Sequence, residues 1–66
     1  MKRYKTRFDN KIGDIRYPIY LVEKDVGYGD VTLDLECERE IPSVAWYTVY
    51  KESVKDLESG DLIEGI

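Results

Sequence analysis

From Val31 to Glu38 the chain alternates strictly. Val31, Leu33, Leu35 and Cys37 are apolar, and Thr32, Asp34, Glu36 and Glu38 are polar. Period two marks a half-buried strand and aligns three carboxylates along one face. Lys2 to Phe8 alternates too, with Arg3, Lys5 and Arg7 on one side and Tyr4, Thr6 and Phe8 on the other. This predicts a first strand with a basic outer face, ended by turn residues over 9–14. Ile15 to Lys24 predicts a second strand with the apolar row Ile15, Tyr17, Ile19 and Leu21. Pro18 lacks a ladder donor and favours an edge or a bulge at that point. Residues 25–30 carry two glycines and predict a turn. Val44 to Lys51 is dense in β-branched and aromatic residues and reads as a fourth strand, apolar on both faces. Residues 53–60 read as one short helical turn, capped by Ser53 and stopped by Gly60 in a left-handed conformation. Leu62, Ile63 and Ile66 supply a short fifth strand.

These elements predict a mainly β fold: one small domain over residues 1–66, a four- to five-stranded antiparallel sheet with one short helical turn near the C-terminus. Closed, the sheet is an SH3-like barrel, which hides the strand edges; unclosed, it is a curled sheet packed on the C-terminal segment. A chain of 66 residues buries only about 60% of the surface its unfolded form exposes. It has room for one layer of core and little for an internal cleft.

Charge divides the chain. Residues 1–33 hold seven Lys/Arg and five Asp/Glu, a balance of +2; residues 34–66 hold three and nine, a balance of −6, for −4 in all. An acidic protein is a poor generic nucleic-acid binder. The single cysteine excludes an intramolecular disulfide framework, which favours a cytoplasmic setting. The basic start lacks the apolar stretch of a signal peptide, and no apolar run reaches the roughly 18 residues a membrane span needs.

The candidate chemistry is sparse. There is no histidine, hence no usual general base near neutral pH and no imidazole ligand. Cys37 has no His partner, points inward by the alternation and is flanked by Glu36 and Glu38, so it reads as a core thiol. Gly27-Tyr28-Gly29 lacks the third glycine and the helix of a dinucleotide fingerprint. Paired carboxylates two apart on a strand sit about 6.5–7 Å apart, but a solvated face does not split their pKa values. The reading is therefore no enzyme, no metal and no cofactor.

Surfaces remain. Asp34, Glu36, Glu38 and Glu40 form an acidic row whose spacing matches that of phosphates along a nucleic-acid strand. Left free, it suits a basic partner protein and fast, salt-sensitive association. Paired across the sheet with Arg3, Lys5 and Arg7, it is a structural ladder instead. Trp46, Tyr47 and Tyr50 are aromatic partner-binding candidates, with homodimerisation the first option. In size and charge the chain resembles phage-encoded inhibitors of host proteins, which implies a small module that blocks a host protein. The alternative is a nucleic-acid-binding β-barrel using Arg3, Lys5, Arg7 and Arg16 between aromatic rings, a use that the acidic half makes unfavourable. No membrane role is expected.

Overall fold

The computed structural model describes residues 2–65. Three long strands come first: β1 (Lys2–Ile12), β2 (Ile15–Gly27) and β3 (Asp30–Glu36). A 16-residue helix, α1 (Ser43–Glu58), follows, and then a short strand β4 (Ile63–Gly65). The sheet is antiparallel, in the order β3-β2-β1-β4. It is an open sheet with β3 and β4 at its edges. The expected last strand forms at Ile63; Ile66 lies outside the described residues.

The largest correction falls on residues 44–60. The predicted fourth strand and helical turn are one helix. Its inward stripe is Trp46, Val49, Tyr50, Ser53 and Leu57, at helical spacing. Two features hide that stripe in the sequence. Ser53 puts a hydroxyl where the core-facing row should be apolar, and Val44 and Tyr47 place apolar groups on the outer side, 89% and 66% exposed. Each β-branched or aromatic residue costs a helix at most about 0.7 kcal/mol, less than packing on the sheet returns. The helix starts at Pro42, whose carbonyl accepts from Ala45 and Trp46 N–H at 3.0 and 2.8 Å. It ends as expected at Gly60, at φ +77°. Gly60 N–H donates to Leu57 O and Asp61 N–H to Asp56 O, the paired bonds of a Schellman motif.

The first hairpin also turns later than expected. β1 runs through the predicted turn to Ile12, leaving only residues 13–14 as the connection. Between Lys5 and Asp9 its register against β2 slips. Pro18 sits opposite that slip, beyond the last β3 pair at Tyr20, so its missing N–H breaks no ladder there. Thr6 repairs the slip: its buried hydroxyl donates to Ile19 O at 2.8 Å and accepts from Phe8 N–H at 3.2 Å.

Strand register sorts the sheet into two faces. Tyr4, Thr6, Ile19, Leu21, Leu33 and Leu35 share one face with α1 packed over it. Arg3, Lys5, Tyr20, Val22, Asp34 and Glu36 share the other, which carries no helix. The apolar core is thin: Ile19, Leu21, Val22 and Val49 are its buried members. Each contributes roughly 1.5–3 kcal/mol, so any one is a large part of the stability of so small a domain.

Four substitutions check this account in urea unfolding. Thr6→Val strands Ile19 O and Phe8 N–H and is expected to cost about 1–3 kcal/mol, while Thr6→Ser retains most of the stability. Gly60→Ala is expected to cost about 1–2 kcal/mol, all of it backbone, because nothing lies within 4 Å of the added Cβ. Ser53 Oγ is buried and makes no hydrogen bond among the described residues. Ser53→Ala is therefore expected to be neutral or stabilising, and a loss of more than about 1 kcal/mol contradicts the assignment.

Candidate functional site

The question posed by the sequence was whether the basic and acidic rows are neighbours. They are not adjacent in the sheet, because β2 lies between them. They meet nonetheless. Opposite Arg3 in register stands Val22, and opposite Val22 stands Asp34; Lys5, Tyr20 and Glu36 form the next row. Two strand spacings are about 9–10 Å, which an arginine and a glutamate span together. Arg3 lays its guanidinium 4.4 Å from the Tyr20 ring centre and reaches Glu36 at 2.9 Å. It thus roofs the middle of β2 on the helix-free face, where Val22 is wholly buried. A lysine would carry the charge but not the flat stacking surface.

Two further arginines are also engaged. Arg7, displaced by the β1 slip, donates from Nε to Asp56 at 2.8 Å and lies 3.6 Å from Glu52. The Asp56 hydrogen bond, then the Asp56 and Glu52 charges, hold its pKa above the ordinary arginine value. It stays cationic at any working pH. Arg16 lies 3.9 Å from Asp9. Of the four residues proposed for nucleic acid, Arg3, Arg7 and Arg16 have carboxylate partners, and Lys5 has none among the described residues.

The acidic row is shorter as a strand than the alternation suggests. β3 ends at Glu36, and Glu38 and Glu40 stand on the loop to α1. Asn10, 8% exposed at the far end of β1, fixes that loop by donating its amide to Arg39 O and Glu40 O at 3.2 and 3.3 Å. Asp34, Glu36, Glu38 and Glu40 are all exposed. Glu36 and Glu38 border a depression of about 380 Å³ with Arg3, Pro18 and Tyr20. Glu40 instead borders one of about 400 Å³ with Trp46, Leu35 and Ile41. The row therefore divides between two sides of the sheet. Cys37 borders both depressions and is half-buried rather than a core residue, its Sγ 4.0 Å from Tyr17 O.

Two of the three aromatic candidates serve the fold. Trp46 and Tyr50, four apart on α1, stack at 4.9 Å, and the Tyr50 hydroxyl donates to Leu33 O at 3.2 Å. Asp34 accepts from Leu35 N–H at 2.8 Å. Both bonds occupy main-chain groups of edge strand β3 and blunt it against pairing with another chain. Tyr47 is the exposed member. Tyr28, one of the aromatics in excess of what so small a core can hide, is fully exposed at the tip of the second hairpin with φ +55°. Tyr28 and Gly29 both take positive φ, as a type I′ turn requires. Asn or Gly is the usual residue at the first position, and a bulky ring there was the available signal. Among the described residues, no cluster of three or more His, Cys, Asp or Glu could hold a metal ion, and no helix is long and apolar enough to cross a membrane.

Two measurements check the site. Arg3→Met is expected to cost about 1–2 kcal/mol, because it unroofs Val22 as well as losing a charge. A double-mutant cycle with Glu36→Gln is expected to give a coupling of about 0.5–1 kcal/mol, since both side chains remain partly wet; zero coupling contradicts the pairing. Tyr28→Asn is expected to stabilise by about 1 kcal/mol by relieving the left-handed backbone, read as a rise in the urea midpoint. Compared with known proteins, the chain matches no family model, no curated protein and no solved structure.

Proposed function

We propose that this chain is a protein-binding module that acts by occupying a surface of a basic partner, as an inhibitor does, rather than by chemistry. Its docking site is the acidic side of β3 and the following turn: Asp34, Glu36 and Glu38, with Glu40 at the rim. The observation that carries this reading is the asymmetry in how the two charge rows are used. Arg3, Arg7 and Arg16 hold carboxylates of the same chain, whereas Asp34, Glu38 and Glu40 make no ion pair among the described residues and are exposed. The three arginines of β1 and β2 are thus held internally, while the acidic end of β3 and its loop faces outward. A basic surface meeting them gains complementary charge and rapid, salt-dependent encounter. The same pairing withdraws Arg3, Arg7 and Arg16 from a phosphate backbone, and a net charge of −4 opposes one, so the nucleic-acid alternative is the weaker use of this face.

The test is affinity capture from the source cell followed by titration of the captured protein. Replacing Asp34, Glu36 and Glu38 together by Ser is expected to weaken binding roughly tenfold or more, with the circular dichroism spectrum unchanged. Glu58→Ser, which removes an exposed carboxylate from α1, is expected to leave affinity as it was. Equal binding by the triple variant and the original chain removes this reading, and retention of an oligonucleotide at low salt by the original chain replaces it with the other.

A further inference from the structure

We infer that the helix-free face of the sheet is self-complementary and that a second copy of this chain docks on it. The basic β1 row of each protomer then lies over the acidic β3 row of the other. This inference goes beyond the proposed function and shares with it only the exposure of the acidic row.

The placement follows from register. On this face β1 contributes Arg3 and Lys5, β2 contributes Tyr20 and Val22, and β3 contributes Asp34 and Glu36. Positive charge runs along one side of β2 and negative charge along the other. The Arg3–Glu36 ion pair neutralises the middle of the face. It leaves Lys5 on the basic side and Asp34 on the acidic side, both exposed and both without an ion pair among the described residues. A two-fold axis along β2 turns one sheet face onto the other and places each β1 over the partner's β3. A two-fold contact brings residue i to j and j to i, so Lys5 of each copy stands over Glu36 of the other and Arg3 over Asp34, and each contact forms twice. The half-exposed Tyr20 ring lies near the axis, where an aromatic contributes most. Lys24, toward the far end of β2 on this face, is exposed and can splay away from its copy, while Lys11 and Arg16 lie beyond the span of β3. A two-fold axis across the strands instead puts β1 over β1 and sets like charges together, so charge selects one of the two arrangements.

The strand dimensions set the strength. Three overlapping strands over the length of β3 give a footprint on the order of 300–400 Å² per protomer, less than half of the roughly 800 Å² of a stable complex. The dimer is weak and forms at high protein concentration. Blunted edges on β3 direct association to the face rather than to edge pairing.

The experiment is sedimentation of the whole chain up to about 1 mM, the range in which so small an interface associates. It is run at low salt and at about 1 M, where the screening length falls to about 3 Å. The original chain is expected to dimerise reversibly at low salt and to dissociate at high salt. Lys5→Glu alone and Glu36→Lys alone each set like charges opposite one another and are expected to weaken self-association roughly tenfold or more. An equimolar mixture of the two variants restores opposite charge at both contacts and is expected to recover the dimer. Circular dichroism verifies that each variant folds. A monomer at every concentration, a dimer indifferent to both reversals, or a mixture that stays monomeric overturns the inference. A monomer whose acidic variants still lose the captured partner defeats the dimer and leaves the proposed function standing; a charge-dependent dimer whose triple variant binds that partner normally does the reverse.

Discussion

One helix cannot cover two faces of a sheet, and this constraint shapes the whole molecule. α1 covers Ile19, Leu21 and Leu35, but Val22 sits on the other side and is wholly buried as well. Arg3 covers that side. Its stem and guanidinium cross β2, stack on Tyr20 and end on Glu36. Long cationic side chains commonly shield apolar surface with their stems while the charged end stays wet. Here the arrangement does a second thing: it ties the basic first strand to the acidic third strand across a strand that belongs to neither.

That tie determines what the surface offers. With Arg3 on Glu36, Arg7 on Asp56 and Arg16 near Asp9, the fold engages all three arginines of the N-terminal half, three of its seven basic residues. Asp34, Glu38 and Glu40, on β3 and its following loop, make no ion pair among the described residues, and Asn10 fixes that loop against β1. The slip in β1 belongs to the same arrangement, because it carries Arg7 to the carboxylates of α1 while Thr6 closes the gap in the ladder.

Much of the sheet was legible in the sequence. The alternation of Lys2–Phe8, Ile15–Lys24 and Val31–Glu38 placed three strands, the third two residues too long. Pro18 marked the slip, and Gly60 marked a helix end. The helix itself was not legible, because Val44, Trp46, Tyr47, Val49 and Tyr50 satisfy strand propensity locally, and a buried Ser53 breaks the stripe that would have shown the helical period. At the candidate site, the opposed signs of the two rows were visible, and so was their competition. Their meeting over an intervening strand was not, since alternation fixes a face but says nothing of which strands are neighbours. Trp46 and Tyr50 could not be recognised as structural until the helix brought them together.

The central claim is that Arg3 lies across β2, and proton NMR tests it directly. A side chain stacked on Tyr20 has its δ-methylene protons shifted upfield by the ring, with cross-peaks to the Tyr20 ring protons and the Val22 methyls. The account predicts that shift and those cross-peaks, and their loss on Tyr20→Leu. Arg3 protons at their solvent-exposed positions, with no cross-peak to either residue of β2, would contradict it.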